Sequence, residues 1–168
     1  MWSPGLNTGF SSDPKVMYEA RLAQAKARVD GGGRLFFMIA GFSVVNSLLS
    51  LMSAGFRFII GLGITQFVAA IARESSRGTA VMVSLAVTAL AAGFFFLMGV
   101  FTRQGQKWSL ILGIVLYALD GALLLLWKDW LSIAFHGYFI YCLIQTLSAI
   151  GELQTVRQEA AAHGMPLS

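Results

Sequence analysis

Uncharged apolar stretches dominate the middle of the chain. No charged residue lies between Arg34 and Arg57, and none between Gly78 and Thr102. A helix crossing a hydrocarbon core of roughly 30 Å needs about 20 mainly apolar residues. On that measure the chain predicts spans over residues 35–52, 78–102, 108–127 and 130–151. The third of these is interrupted by Asp120, and the fourth contains His136 and Gln145. Residues 56–72 form a shorter apolar segment of about 26 Å as a helix, with Arg57 at its start. Arg57 can snorkel to the interface, so the segment reads as a fifth span. The alternative is a re-entrant segment, which Gly61 and Gly63 keep open. The expected fold is an all-α polytopic bundle of five transmembrane helices, or four spans plus one re-entrant segment.

The flanks are polar. Residues 1–34 form a basic arm and residues 152–168 a polar tail. Within the arm, Asp13 followed by Pro14 predicts a helix start, with Asp as N-cap and Pro at the first position. Gly31, Gly32 and Gly33 predict its end near Val29. No short apolar core with a small-residue cleavage site precedes the first span, so that span is expected to act as the targeting signal.

Composition narrows the class. Only 12% of the 168 residues are charged and 57% are hydrophobic. Eight of the 20 charges lie in the first 34 residues and three in the last 17, leaving nine for the 117 between. A water-exposed surface needs more charge than that. The lipid bilayer is therefore the expected partner. This composition excludes a disordered chain, a nucleic-acid module and, with Cys142 as the sole cysteine, a secreted disulfide scaffold. The five basic residues before the first span predict a cytoplasmic N-terminus. The side of the C-terminus is not decided by charge, because five-span and four-span topologies both divide the basic residues eight to four. Five spans place it on the opposite side from the N-terminus.

Two stretches align at an offset of 74. GFSVVNSLLSLMSAGFRFIIGLGITQF (41–67) lies over VLYALDGALLLLWKDWLSIAFHGYFIY (115–141), with Asn46 on Asp120 and Gly63 on Gly137. With five spans, helices 1–2 and 4–5 would be inverted repeats, an architecture used by secondary transporters.

Asp120 heads the candidate chemistry, because an acid at depth costs several kcal/mol unless it is paired. His136 is the expected partner. Both lie about 11–13 Å from the Lys128–Asp129 turn that joins their helices, so they reach the same level. Such a pair can fix hairpin register or hold a proton or substrate. Asn46, Gln66 and Tyr117 are the expected supporting members of this intramembrane site. Tyr138 and Tyr141 are also within expected reach of it. Small and polar rows (Ser43, Asn46, Ser47; Ser84, Thr88, Ala92) predict close helix packing, within the chain or in a homo-oligomer. Trp108, Trp127 and Trp130 fall at span ends, where interfacial aromatic belts form. There is no nucleophile elbow, zincin, P-loop or dinucleotide motif. No catalytic residue, metal site or cofactor is predicted.

The runs ALDGALLLLWKDWLSIAFHGYFIY and FFMIAGFSVVNSLLSLMSAGFRFIIGLGITQ resemble patterns in small multi-pass bacterial inner-membrane proteins without assigned activity. The resemblance covers about half of the chain. It implies a bacterial cytoplasmic membrane and no particular chemistry. Two functions follow as expectations: a non-catalytic membrane subunit or scaffold, or a small transporter or proton-coupled protein with an Asp–His site.

Overall fold

A computed structural model describes residues 13–51 and 77–164. The described chain is all-α: α1 (Pro14–Leu51), α2 (Arg77–Arg103), α3 (Lys107–Leu124) and α4 (Trp130–Ala162). All four are long and apolar enough to cross a membrane. The expected span 56–72 lies outside the described residues, as does Gln66.

Local chemistry accounts for the ends. Asp13 caps α1, its carboxylate accepting from the Lys15 amide at 2.9 Å, and Pro14 opens the helix where a missing N–H costs nothing. Gly105, at φ 80°, turns the chain between α2 and α3. A 3₁₀ turn over Leu125–Trp127 and Lys128 at φ 54° close the second hairpin. Asp129 then caps α4 through the Ser132 amide and hydroxyl.

The expected helix end at Gly31–Gly33 does not occur, and α1 is one helix of 38 residues. Helical glycine costs about 1 kcal/mol against alanine. Here the missing side chains let other helices approach. A Cβ on Gly32 would lie 2.3 Å from Thr146 Cγ2, and one on Gly33 would lie 2.8 Å from the Gly99 carbonyl oxygen. Likewise α4 does not stop at Gly151 but continues into the tail as far as Ala162.

The pairing is antiparallel throughout. On α1 and α2, Gly33 faces Gly99, Phe37 meets Phe96, and Ser47 meets Thr88. Thr102 faces Ser109 and Phe95 faces Tyr117 across α2 and α3. Asp120 meets His136 across α3 and α4. The cycle closes through Arg21–Glu159 and Arg28–Glu152 between α1 and α4. This up-down-up-down bundle puts Pro14 and Ala162 at the same end, correcting the opposite-side expectation that accompanied five spans. It also makes α1 and α3 parallel, whereas the inverted repeat required them to oppose. One register, set by packing along four helices, overrides the sequence echo.

Beyond the glycine contacts, the arm and tail pair as a two-helix stalk. Leu22, Ala25 and Val29 share one buried cluster with Leu153 and Val156, and Ala160 is buried further along the tail. In water each fully buried Leu or Val contributes about 1.5–3 kcal/mol. Inside a bilayer that driving force vanishes, and close packing and hydrogen bonds take over. The ion pairs Arg21–Glu159, Arg28–Glu152 and Asp30–Arg103 rim the stalk and its base. Exposed pairs of this kind contribute about 0–1 kcal/mol each. They set register more than stability.

Candidate functional site

At the end of the bundle away from the stalk, the interior turns polar. Ser43, Asn46 and Ser47 on α1, Ser84 and Thr88 on α2, Asp120 on α3 and His136 on α4 are all buried. Several satisfy themselves locally: Ser43 donates to the Ile39 carbonyl at 2.7 Å, and Thr88 to that of Ser84 at 2.8 Å. Hydroxyls that bond back to their own helix can enter an apolar interior cheaply. The Ser47 and Thr88 hydroxyls also join α1 to α2 at 2.8 Å. The predicted small-residue rows on these helices are thus used inside the chain.

His136 Nε2 lies 3.1 Å from Asp120 Oδ2, with both side chains almost fully enclosed. The other ring nitrogen, Nδ1, lies 2.9 Å from the Ser132 carbonyl oxygen. A carbonyl oxygen only accepts, so Nδ1 carries a hydrogen. The contact between Nε2 and Oδ2 then requires one further proton. Either a protonated Asp120 donates to a neutral ring, or an imidazolium donates to a carboxylate. Both forms are neutral overall, which suits an interior where an unbalanced charge is expensive. The proton belongs to the pair rather than to either residue.

Gly121 makes the approach possible. A Cβ there would lie 3.1–3.3 Å from His136 Cδ2, Cβ and Cγ. Tyr117, one turn before Asp120, lays its ring on the imidazole at 4.3 Å and 15°. It supports the pair as a stacking platform. Its hydroxyl is buried and has no hydrogen-bond partner among the described residues. An unmet buried hydroxyl costs about 1–3 kcal/mol. Tyr117→Phe should therefore leave stability unchanged or raise it by about 1 kcal/mol, measured as unfolding in detergent micelles. A loss of that size would mean that the hydroxyl has a partner.

The remaining candidates separate. Asn46 is buried in the polar layer on α1. Extending the α1–α4 register from Gly32 and Thr146 brings Ser43 level with His136, and Asn46 one turn further from the stalk. Tyr138 and Tyr141 point outward, about 60% exposed, and do not reach the pair. Trp108 and Trp130 are exposed at the helix ends, as a belt requires. Among the described residues no three His, Cys, Asp or Glu side chains gather in a way that would hold a metal ion.

Sequence reasoning missed three contributors: the Ser132 carbonyl, the contact at Gly121, and a groove. The only signal for the first two was spacing. Position 132 is one helical turn before His136, and Gly121 adjoins the acid. The groove, about 550 Å³, lies between α2 and α3. Ala91, Phe94, Leu119, Leu123 and Leu126 line it, and Asp120 reaches its wall. Leu119 and Leu126 are more than half exposed, so the groove opens on the outside of the bundle.

No family model matches the chain, and neither a curated protein nor a solved structure matches it. Composition and four apolar helices identify an integral membrane protein.

Proposed function

We propose that this chain is a non-catalytic membrane subunit or scaffold that presents the paired arm and tail to a partner outside the bilayer. The observation that carries this reading is the stalk. Two transmembrane helices continue unbroken beyond their apolar segments and share a water-excluding seam, with Val29 and Val156 fully buried. Such order in both flanks is hard to account for if they only tether loops. Eight basic residues lie at the stalk end of the bundle against two at the other among the described residues, which supports a cytoplasmic stalk.

A photo-crosslinking residue at Gln24, on the exposed side of the stalk, tests the reading in native membranes. A discrete protein adduct is expected, and Val29→Glu, which puts a charge into the seam, should abolish it. An adduct to lipid alone would overturn the scaffold reading.

A second reading, a proton-coupled membrane protein, is favoured by one observation. Asp120 belongs at once to the enclosed proton-sharing pair and to the wall of an outward-opening groove. On this reading Asp120 and His136 exchange their proton with the surroundings. Infrared difference spectra across pH, wild type minus Asp120→Asn, are expected to show a protonated-carboxyl band that titrates. A band unchanged at every pH would leave the pair as a lock for the hairpin.

A further inference from the structure

We infer that the groove between α2 and α3 binds a lipophilic amine, whose cation rests on Asp120 in place of the proton that Asp120 shares with His136. This inference rests on the second reading above and adds the class of ligand.

Three features combine. The groove is large enough for a multi-ring or long-chain organic molecule, and its walls are aliphatic and aromatic. It opens sideways from the bundle, beside exposed Leu119 and Leu126, so molecules dissolved in the bilayer reach it without crossing water. Among the described residues of its lining, the single ionisable group is an acid. An apolar molecule alone would gain little by leaving lipid for this groove, because lipid tails are as apolar as its walls. A carboxylate in a low-dielectric wall changes that balance for one class of guest: an apolar body carrying a basic nitrogen.

Charge and proton balance are consistent with this. An amine crosses lipid as its free base, having left one proton in water. At the groove its nitrogen takes the proton that the pair holds. The new N–H bond forms as the Asp120–His136 proton is given up; the Nε2–Oδ2 contact then opens, leaving an ammonium against the Asp120 carboxylate. The site is neutral before and after, as the medium demands. Relative to the ammonium ion in water, one proton is released for each cation bound. A permanently neutral molecule of the same shape has no such exchange to make.

The full-length chain in maltoside micelles, titrated calorimetrically with imipramine, tests this, with empty micelles as the blank. Iminodibenzyl, the same ring system without the basic side chain, is the neutral comparison. Saturable imipramine binding is expected, at least about tenfold tighter than iminodibenzyl. Titrations in two buffers of different ionisation heat should report one proton released per imipramine. Asp120→Asn should weaken binding by about tenfold or more. Because that variant also alters the pair, Ala122→Trp, at a further lining residue of the groove, fills it with both partners left in place and should weaken binding as much without lowering the unfolding temperature. Equal affinity for the two probes, retained affinity in either variant, or no heat above the blank would overturn the proposal. A titrating carboxyl band combined with no imipramine binding would reject the groove and leave the shared proton standing. An untitratable band would reject the proton reading itself.

Discussion

His136→Leu should destabilise the bundle by about 2–4 kcal/mol. Two losses add. Asp120 would lose its contact with the imidazole, and breaking a buried polar contact costs about 1–3 kcal/mol. The Tyr117 ring, stacked at 4.3 Å, would lose a contact worth about 0.5–1.5 kcal/mol. The double variant Asp120→Leu with His136→Leu should recover most of the first loss, since replacing a buried polar pair by apolar residues is often neutral. Reversible unfolding in mixed detergent micelles measures both. A double variant no better than the single would show that the acid itself is not what makes the single variant unstable. A single variant within about 0.5 kcal/mol of wild type would mean that the pair does not lock the hairpin, since hydrogen bonds within membranes average about that much.

Gly99→Val should cost about 3 kcal/mol, the upper end for overpacking, and Gly33→Val about as much. The two glycines lie back to back where α1 crosses α2. A Cβ on Gly99 would lie 2.9 Å from the Gly33 carbonyl oxygen and 2.6 Å from the Phe37 ring, and one on Gly33 would lie 2.8 Å from the Gly99 oxygen. A side chain can rotate away, but a carbonyl cannot move without its helix. The helices must part, and the Asp30–Arg103 pair at 3.0 Å should open with them. Gly93→Val on the same helix is the control: nothing lies within 4 Å of the added atom, and little change is expected. A similar loss at Gly93 would point to helix propensity in place of packing.

Much of this was legible in the sequence. The uncharged stretch 78–102 became α2 almost residue for residue, because in lipid an apolar run of that length must satisfy its backbone as a helix. The Asp120–His136 contact followed from counting residues to a tight turn, since rise per residue is constant. Gly31–Gly33 defeated the same kind of reasoning. Glycine ends a helix when nothing offsets its conformational cost. Here the offset comes from Thr146 and Gly99, which are remote in sequence. The repeat misled for a related reason. Matching patterns at an offset of 74 state which residues are alike, not which way their helices point.

By itself, then, the sequence determined the solvent, the helical state of the apolar segments, the cap at Asp13, and the acid that needs a partner. Those follow from local composition and from distances along one or two helices. Only the tertiary structure decided that the arm and tail zip together, that both lie at one end, that Tyr117 offers its face rather than its hydroxyl, and that Asp120 borders a groove. Each of these depends on how far apart and in what direction separate helices pack. That is settled by missing side chains at Gly32, Gly33, Gly99 and Gly121 acting together, and no single segment encodes it.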